Sequence, residues 1–126
     1  MKIFFSLIIF CSIAFCDYIV WQNDFDKVLM QAKKEQKEIL LLLLKRDCIR
    51  CKTVFSDIFA DKEVQEKVNQ KYLPVAVFFE ENNSYPIELF YTQQFPAIFF
   101  VSKDDESYLQ TPLSGNFTKR ELLDSL

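Results

Sequence analysis

Cys48 and Cys51, three residues apart in the stretch KRDCIRCKTVF (residues 45–55), are the side chains in this sequence best suited to chemistry. Their type and spacing allow three things: a dithiol–disulfide couple, part of a thiolate metal site, or a structural cross-link. On the first turn of a helix, residues i and i+3 share one face, close enough for a disulfide to close with little strain. The unpaired N–H groups and the positive helix end there favour a thiolate at Cys48. Arg50 and Lys52, with Lys45 and Arg46 upstream, add positive charge, and Asp47 opposes it. The pattern therefore implies a depressed pKa for Cys48, tuned by Asp47 and Arg50. Cys48, the more exposed sulfur, would attack a substrate disulfide, and Cys51, one turn deeper, would resolve the mixed disulfide.

The rival readings are weaker on physical grounds. A two-residue loop removes little chain entropy, so a lone CxxC is a poor staple. Two thiolates can hold Cu(I) or half a zinc site. With no histidine and no second CxxC, only two-coordinate Cu(I) or a metal shared across a dimer fits. No cofactor is implied. A non-catalytic binding module is a third alternative, against which stands the polar flanking of both cysteines.

Composition removes other chemistry. The absence of histidine excludes Ser–His and Cys–His nucleophiles. A single glycine, Gly115, excludes a glycine-rich phosphate loop. The net charge of −3, with Lys and Arg dispersed, leaves no electrostatic footprint for nucleic acid. A chain of 126 residues, 14 of them phenylalanine, fits one domain with an aromatic-rich core.

The N-terminus reads as a secretory signal peptide, residues 1–16. Met1-Lys2 is a basic start, Ile3 to Phe15 is nearly all apolar, and Ala14 and Cys16 stand at −3 and −1 before Asp17. That run is shorter than the roughly 20 apolar residues of a bilayer span. The domain, residues 17–126, is thus expected to be periplasmic or otherwise exported. It keeps only Cys48 and Cys51, and its charge falls to −4 because only Lys2 is lost.

The elements that must position the cysteines follow from periodicity and caps. Asn23 caps an amphipathic helix over 24–36, with Phe25, Val28, Leu29 and Ala32 on one face. Lys33 to Glu38 is its solvated tail. Ile39 to Leu44 is an unbroken apolar run between charged ends, which suits a strand covered on both faces. Asp47 caps the next helix, whose apolar positions are Ile49, Val54, Phe55, Ile58 and Phe59. Asp61 caps another, with Val64 and Val68 inward. Pro74 opens a strand over Val75 to Phe79. Pro86 starts a short helix to Tyr91. Ala97 to Val101 is a third strand, and Ser107 to Gln110 returns along an edge. Thr118 and Glu121 form a capping box before Leu122, Leu123 and Leu126. The expected class is α/β: a central mixed four-stranded sheet with helices on both faces.

The stretches AKKEQKEILLLLLKRDCIRCK, VFSDIFADKEVQEKVNQKYLPVAV, QQFPAIFFV and LSGNFTKRELLDSL resemble the thioredoxin-like proteins, in particular exported ones related to the DsbD-type reducing domain. The resemblance spans essentially all of residues 17–126. It implies a thioredoxin-like fold and an exported thiol–disulfide oxidoreductase, favoured as a reductase. It further implies a cis Phe95–Pro96 peptide beside the sulfurs, whose backbone pairs with a substrate strand. The implied partners are substrate proteins with disulfides or thiols and a membrane electron donor, with the protein a monomer. Three departures stand out. Asp47 replaces the usual Trp before the first cysteine, Ile49-Arg50 replaces Gly-Pro, and Leu42 replaces a buried acid that assists the resolving cysteine. Trp21 reads as a core residue at the entry to the first helix.

Overall fold

The computed structural model describes residues 18–81 and 85–126. The signal segment at residues 1–16 and its cut before Asp17 lie outside the described residues. Among those described, no helix is long and apolar enough to cross a membrane.

The chain runs α1 (Phe25–Glu35), β1 (Glu38–Leu44), α2 (Ile49–Thr53), α3 (Lys62–Lys71), β2 (Tyr72–Phe78), β3 (Ala97–Val101), β4 (Leu113–Ser114) and α4 (Lys119–Ser125). The strands form one mixed sheet in the order β2-β1-β3-β4. β1 pairs parallel with β2 and antiparallel with β3, and β3 pairs antiparallel with β4. A parallel bridge from Gln22 to Val75 adds a rudimentary partner on the outer edge of β2.

β1 lies at the centre because its sequence suits no other place. Leucine favours helices, yet Ile39 to Leu43 are fully buried and Leu44 is nearly so. A strand apolar on both faces must be covered on both faces. Leu40, Leu42 and Leu44 pack with Ile98, Phe100 and residues of α2, α3 and α4. Ile39, Leu41 and Leu43 pack with Phe99, Val75, Val77 and the inner face of α1. The protein has the thioredoxin fold, with helices on both faces as expected.

Several local expectations are corrected. α1 is capped by Asp24, not Asn23: its carboxylate accepts the Lys27 N–H at 3.2 Å. The segment from Pro86 forms turns, not a helix, with Leu89 N–H donating to the Pro86 carbonyl. Buried Tyr85 and Phe90 hold it against the α1 side of the sheet. Ser107 to Gln110 is no strand. Tyr108 makes an isolated bridge to Val101, and the edge strand is Leu113–Ser114. Pro112, which has no N–H, interrupts the ladder between them. Pro74 is the third residue of β2 rather than its first, on an edge strand where a missing donor is tolerated. Glu38 is not solvated: its carboxylate meets Lys103 Nζ at 3.3 Å, with both side chains less than one-fifth exposed.

The caps read from sequence at Asp61 and Thr118 are present. Asp61 accepts from Val64 N–H at 3.1 Å, and Thr118 and Glu121 exchange the two hydrogen bonds of a capping box. Between α2 and α3, Val54–Ile58 is a π-helical turn. Phe55 within it and Phe59 just after it meet the Trp21 ring edge-on at 5.5 and 5.0 Å. Trp21 thus props the helix that carries the cysteines, from the segment that enters α1.

Candidate active site

β1 delivers the chain to its end at Leu44, and three residues reverse it into α2. Asp47 makes that reversal with a left-handed backbone, φ 56°. Asp has an enriched tolerance for this region, which explains its use here better than capping does. The cap of α2 is Cys48 itself, not Asp47: its sulfur accepts the Cys51 N–H at 3.1 Å. A donor aimed at Cys48 Sγ favours negative charge on that sulfur when the pair is reduced. Asp47 remains exposed at the rim.

Cys48 and Cys51 are joined as a disulfide, with their Cα atoms 5.3 Å apart. The two sulfurs differ in environment. Cys51 is 5% exposed and belongs to the core layer beneath α2, whereas Cys48 is only partly buried. In that same layer lies Leu42, fully buried, so the face of β1 beneath Cys51 offers no proton acceptor. Beside Cys48 opens a cavity of about 360 Å³, walled by Leu44, Phe55 and Phe78, with Lys45 and Lys52 also lining it. Ile49 does not face inward as its pattern suggested. It is 81% exposed, because the first turn of a five-residue helix presents only Cys51 to the core.

The segment before β3 meets the loop that carries Cys48 through Lys45. The Phe95–Pro96 peptide is cis. Phe95 is partly buried, against Phe79 at 5.3 Å, with Lys45 Nζ 5.7 Å from its ring centre. Pro96 is buried, and its carbonyl accepts the Gly115 N–H at 2.9 Å.

Arg50, read from sequence as a cation beside the pair, makes three contacts with one link of the chain. Its Nε donates to the Gly115 carbonyl at 3.2 Å, its Nη2 donates to the Phe117 carbonyl, and its guanidinium lies over the Phe117 ring. The structure therefore gathers Asp47, Cys48 and Cys51 at one helix start, and joins Arg50 to Pro96 through Gly115. Sequence reasoning missed Phe78, Gly115 and Phe117 as parts of this site. The one available signal was Gly115, the only glycine in the chain. Among the described residues, no group of three or more His, Cys, Asp or Glu could hold a metal ion.

A four-stranded mixed sheet, a cysteine pair where a central strand hands over to a helix, and a cis-proline opening the next strand define a thioredoxin-fold domain with a CxxC disulfide. The chain belongs to the thioredoxin-like family, whose model matches residues 20–103. Its structure is similar to a thioredoxin from Thermus thermophilus (TM-score 0.72, 12% identity, covering 85% of this chain and 84% of that one). It is also similar to the oxidised C-terminal domain of DsbD from Neisseria meningitidis (TM-score 0.65, 18% identity, 84% and 96% covered). A disulphide isomerase from Xylella fastidiosa is a third likeness (TM-score 0.60, 16% identity, 80% and 84% covered). At these identities the likeness concerns the fold. No curated protein sequence matches the chain.

Proposed function

We propose that this protein is an exported thiol–disulfide oxidoreductase in which Cys48 attacks and Cys51 resolves. The observation that carries the reading is the unequal burial of the bonded pair at one open cavity: both cysteines line it, but Cys48 is only partly buried while Cys51 is 5% exposed. In the reducing direction, the Cys48 thiolate attacks one sulfur of a substrate disulfide and displaces the other as a thiolate. The Cys51 thiolate then attacks Cys48 Sγ, forms the Cys48–Cys51 disulfide and releases the second substrate sulfur. The substrate gains two electrons and two protons, and an external dithiol must return the pair to its reduced form.

Phe95 and Pro96 form the groove wall along which a substrate backbone would lie. The reducing direction rests on the resemblance to the DsbD-type reducing domain, and the potential of the pair decides it. Export rests on the signal-like residues 1–16, and a membrane-borne dithiol is the donor that export would require.

The test is equilibration of the Cys48–Cys51 pair against a glutathione series, followed by exchange assays on single variants. We expect a potential below that of glutathione, no exchange for Cys48→Ser, and accumulated mixed disulfides for Cys51→Ser. A pair that cannot be cycled at all rules the reading out. Stoichiometric Cu(I) that needs both cysteines, with little disulfide turnover, would make the protein a metal carrier instead. A double Cys→Ser variant that keeps its cellular role would make it a binding module.

A further inference from the structure

The cysteine helix and the proline segment lie far apart in the chain, and a side chain of the helix helps to connect them. Arg50, between the two cysteines, grips two carbonyls of the link that leads from β4 into α4. One of these belongs to Gly115, whose N–H in turn holds the Pro96 carbonyl. Gly115 therefore faces both ways: its C=O is held by the CxxC helix and its N–H holds the proline segment. The residue there is constrained twice over. Its φ is +68°, and a Cβ would lie 2.7 Å from Gln94 Oε1. Gln94 itself sits in the turn that presents Phe95, where its N–H donates to Thr92 Oγ1.

We infer that Arg50 is a positioning residue, which fixes the distance and angle between the Cys48–Cys51 helix and the Phe95–Pro96 groove wall by way of Gly115. This inference rests on the oxidoreductase reading. The planar guanidinium is the group that can do this, because its fork reaches two carbonyls at once while its face covers Phe117. A lysine would bring the same charge but could not span both acceptors. The role matters for a protein substrate, whose backbone must lie along the groove while its sulfur meets Cys48. A small disulfide needs only the sulfur.

The experiment compares the full-length wild type with Arg50→Lys, Arg50→Met and Gly115→Ala, each reduced beforehand and freed of the reductant. Single-turnover reduction of insulin is measured against that of DTNB, a small aromatic disulfide. A misplacement of the groove is expected to lower the insulin-to-DTNB ratio of second-order rate constants about 10-fold in all three variants. The potential against glutathione should stay at the wild-type value in Arg50→Lys and Arg50→Met alike. Gly115→Ala leaves the arginine charge in place, so its loss of the same ratio isolates geometry from electrostatics. It also serves if the Arg50 variants fail to fold. Wild-type behaviour of Arg50→Lys, beside equal losses on both disulfides and a shifted potential in Arg50→Met, would show that charge acts and overturn the inference. So would unchanged ratios in all three. A wild type inert toward both disulfides is a different result, because it removes the oxidoreductase reading itself.

Discussion

At Asp47 the backbone sits at φ 56°, where β-branched side chains are outliers. Asp47→Gly or Asp47→Asn should therefore keep the stability of the wild type. Asp47→Val should lose about 1–2 kcal/mol, read by urea unfolding. Equal stability for all three would mean that the turn before Cys48 relaxes freely. What could be read at this scale was the chemistry of the pair, since cysteines at i and i+3 are informative wherever they lie. What could not be read was direction. Ile49 counts as apolar in any pattern, yet it is 81% exposed, and Arg50 counts as a cation near a thiolate, yet it faces Gly115 and Phe117. The second fact depends on a segment 65 residues away, which no local window contains.

Elements whose signals are local were legible. The capping box at Thr118 and the cap at Asp61 need only four consecutive residues. The strand nature of β1 was legible because charged residues bound six apolar ones too tightly for a helix. The failures were elements defined by their neighbours. β4 exists only because β3 offers an edge opposite Ala97 and Ile98, and Pro86 lacks a helix because Tyr85 and Phe90 are drawn into the core. β1 makes the clearest packing prediction. Leu42→Ala should cost about 2–5 kcal/mol, measured as a change in unfolding free energy. A cost below 1 kcal/mol would mean that the layer beneath Cys51 collapses to fill the gap.

Asp61 carries an acid-side prediction. The Val64 N–H, then the Lys119 ammonium, hold its carboxyl below the usual carboxylate value of 3.8. A lowered folded pKa contributes stability that is complete above the unfolded value and is lost as pH falls through the folded one. Asp61→Asn should therefore destabilise the protein at pH 7 and make little difference at pH 2. A gap between variant and wild type that persists at pH 2 would refute the ionic part of this role.

For the molecule as a whole, the alkaline side is set by different groups. Burial, then the Glu38 charge, raises the Tyr72 hydroxyl above its usual 10.0, and burial, then Glu80, raises Tyr85. The hydrogen bond to Glu38 raises Lys103 above 10.5. Each of these raised groups stabilises the fold at pH values below its unfolded pKa, and the contribution fades as pH climbs through the folded one. Stability should thus hold through neutral pH and fall from about pH 10 upward, as the unfolded tyrosines ionise first. The Tyr85 hydroxyl is buried with no partner among the described residues. Tyr85→Phe should then leave stability at pH 7 unchanged or higher and soften the alkaline loss, seen in urea midpoints across pH. A drop at pH 7 would reveal a partner for that hydroxyl.

The unequal burial of the two sulfurs also makes the reduced protein its own stopwatch. An alkylating reagent added to the native, reduced chain should mark Cys48 quickly. Cys51 stays shielded until the first turn of α2 lifts away from the sheet. Peptide mapping of the label at Cys51 over time therefore counts those openings one molecule at a time, and its rate reports how often the helix start breathes.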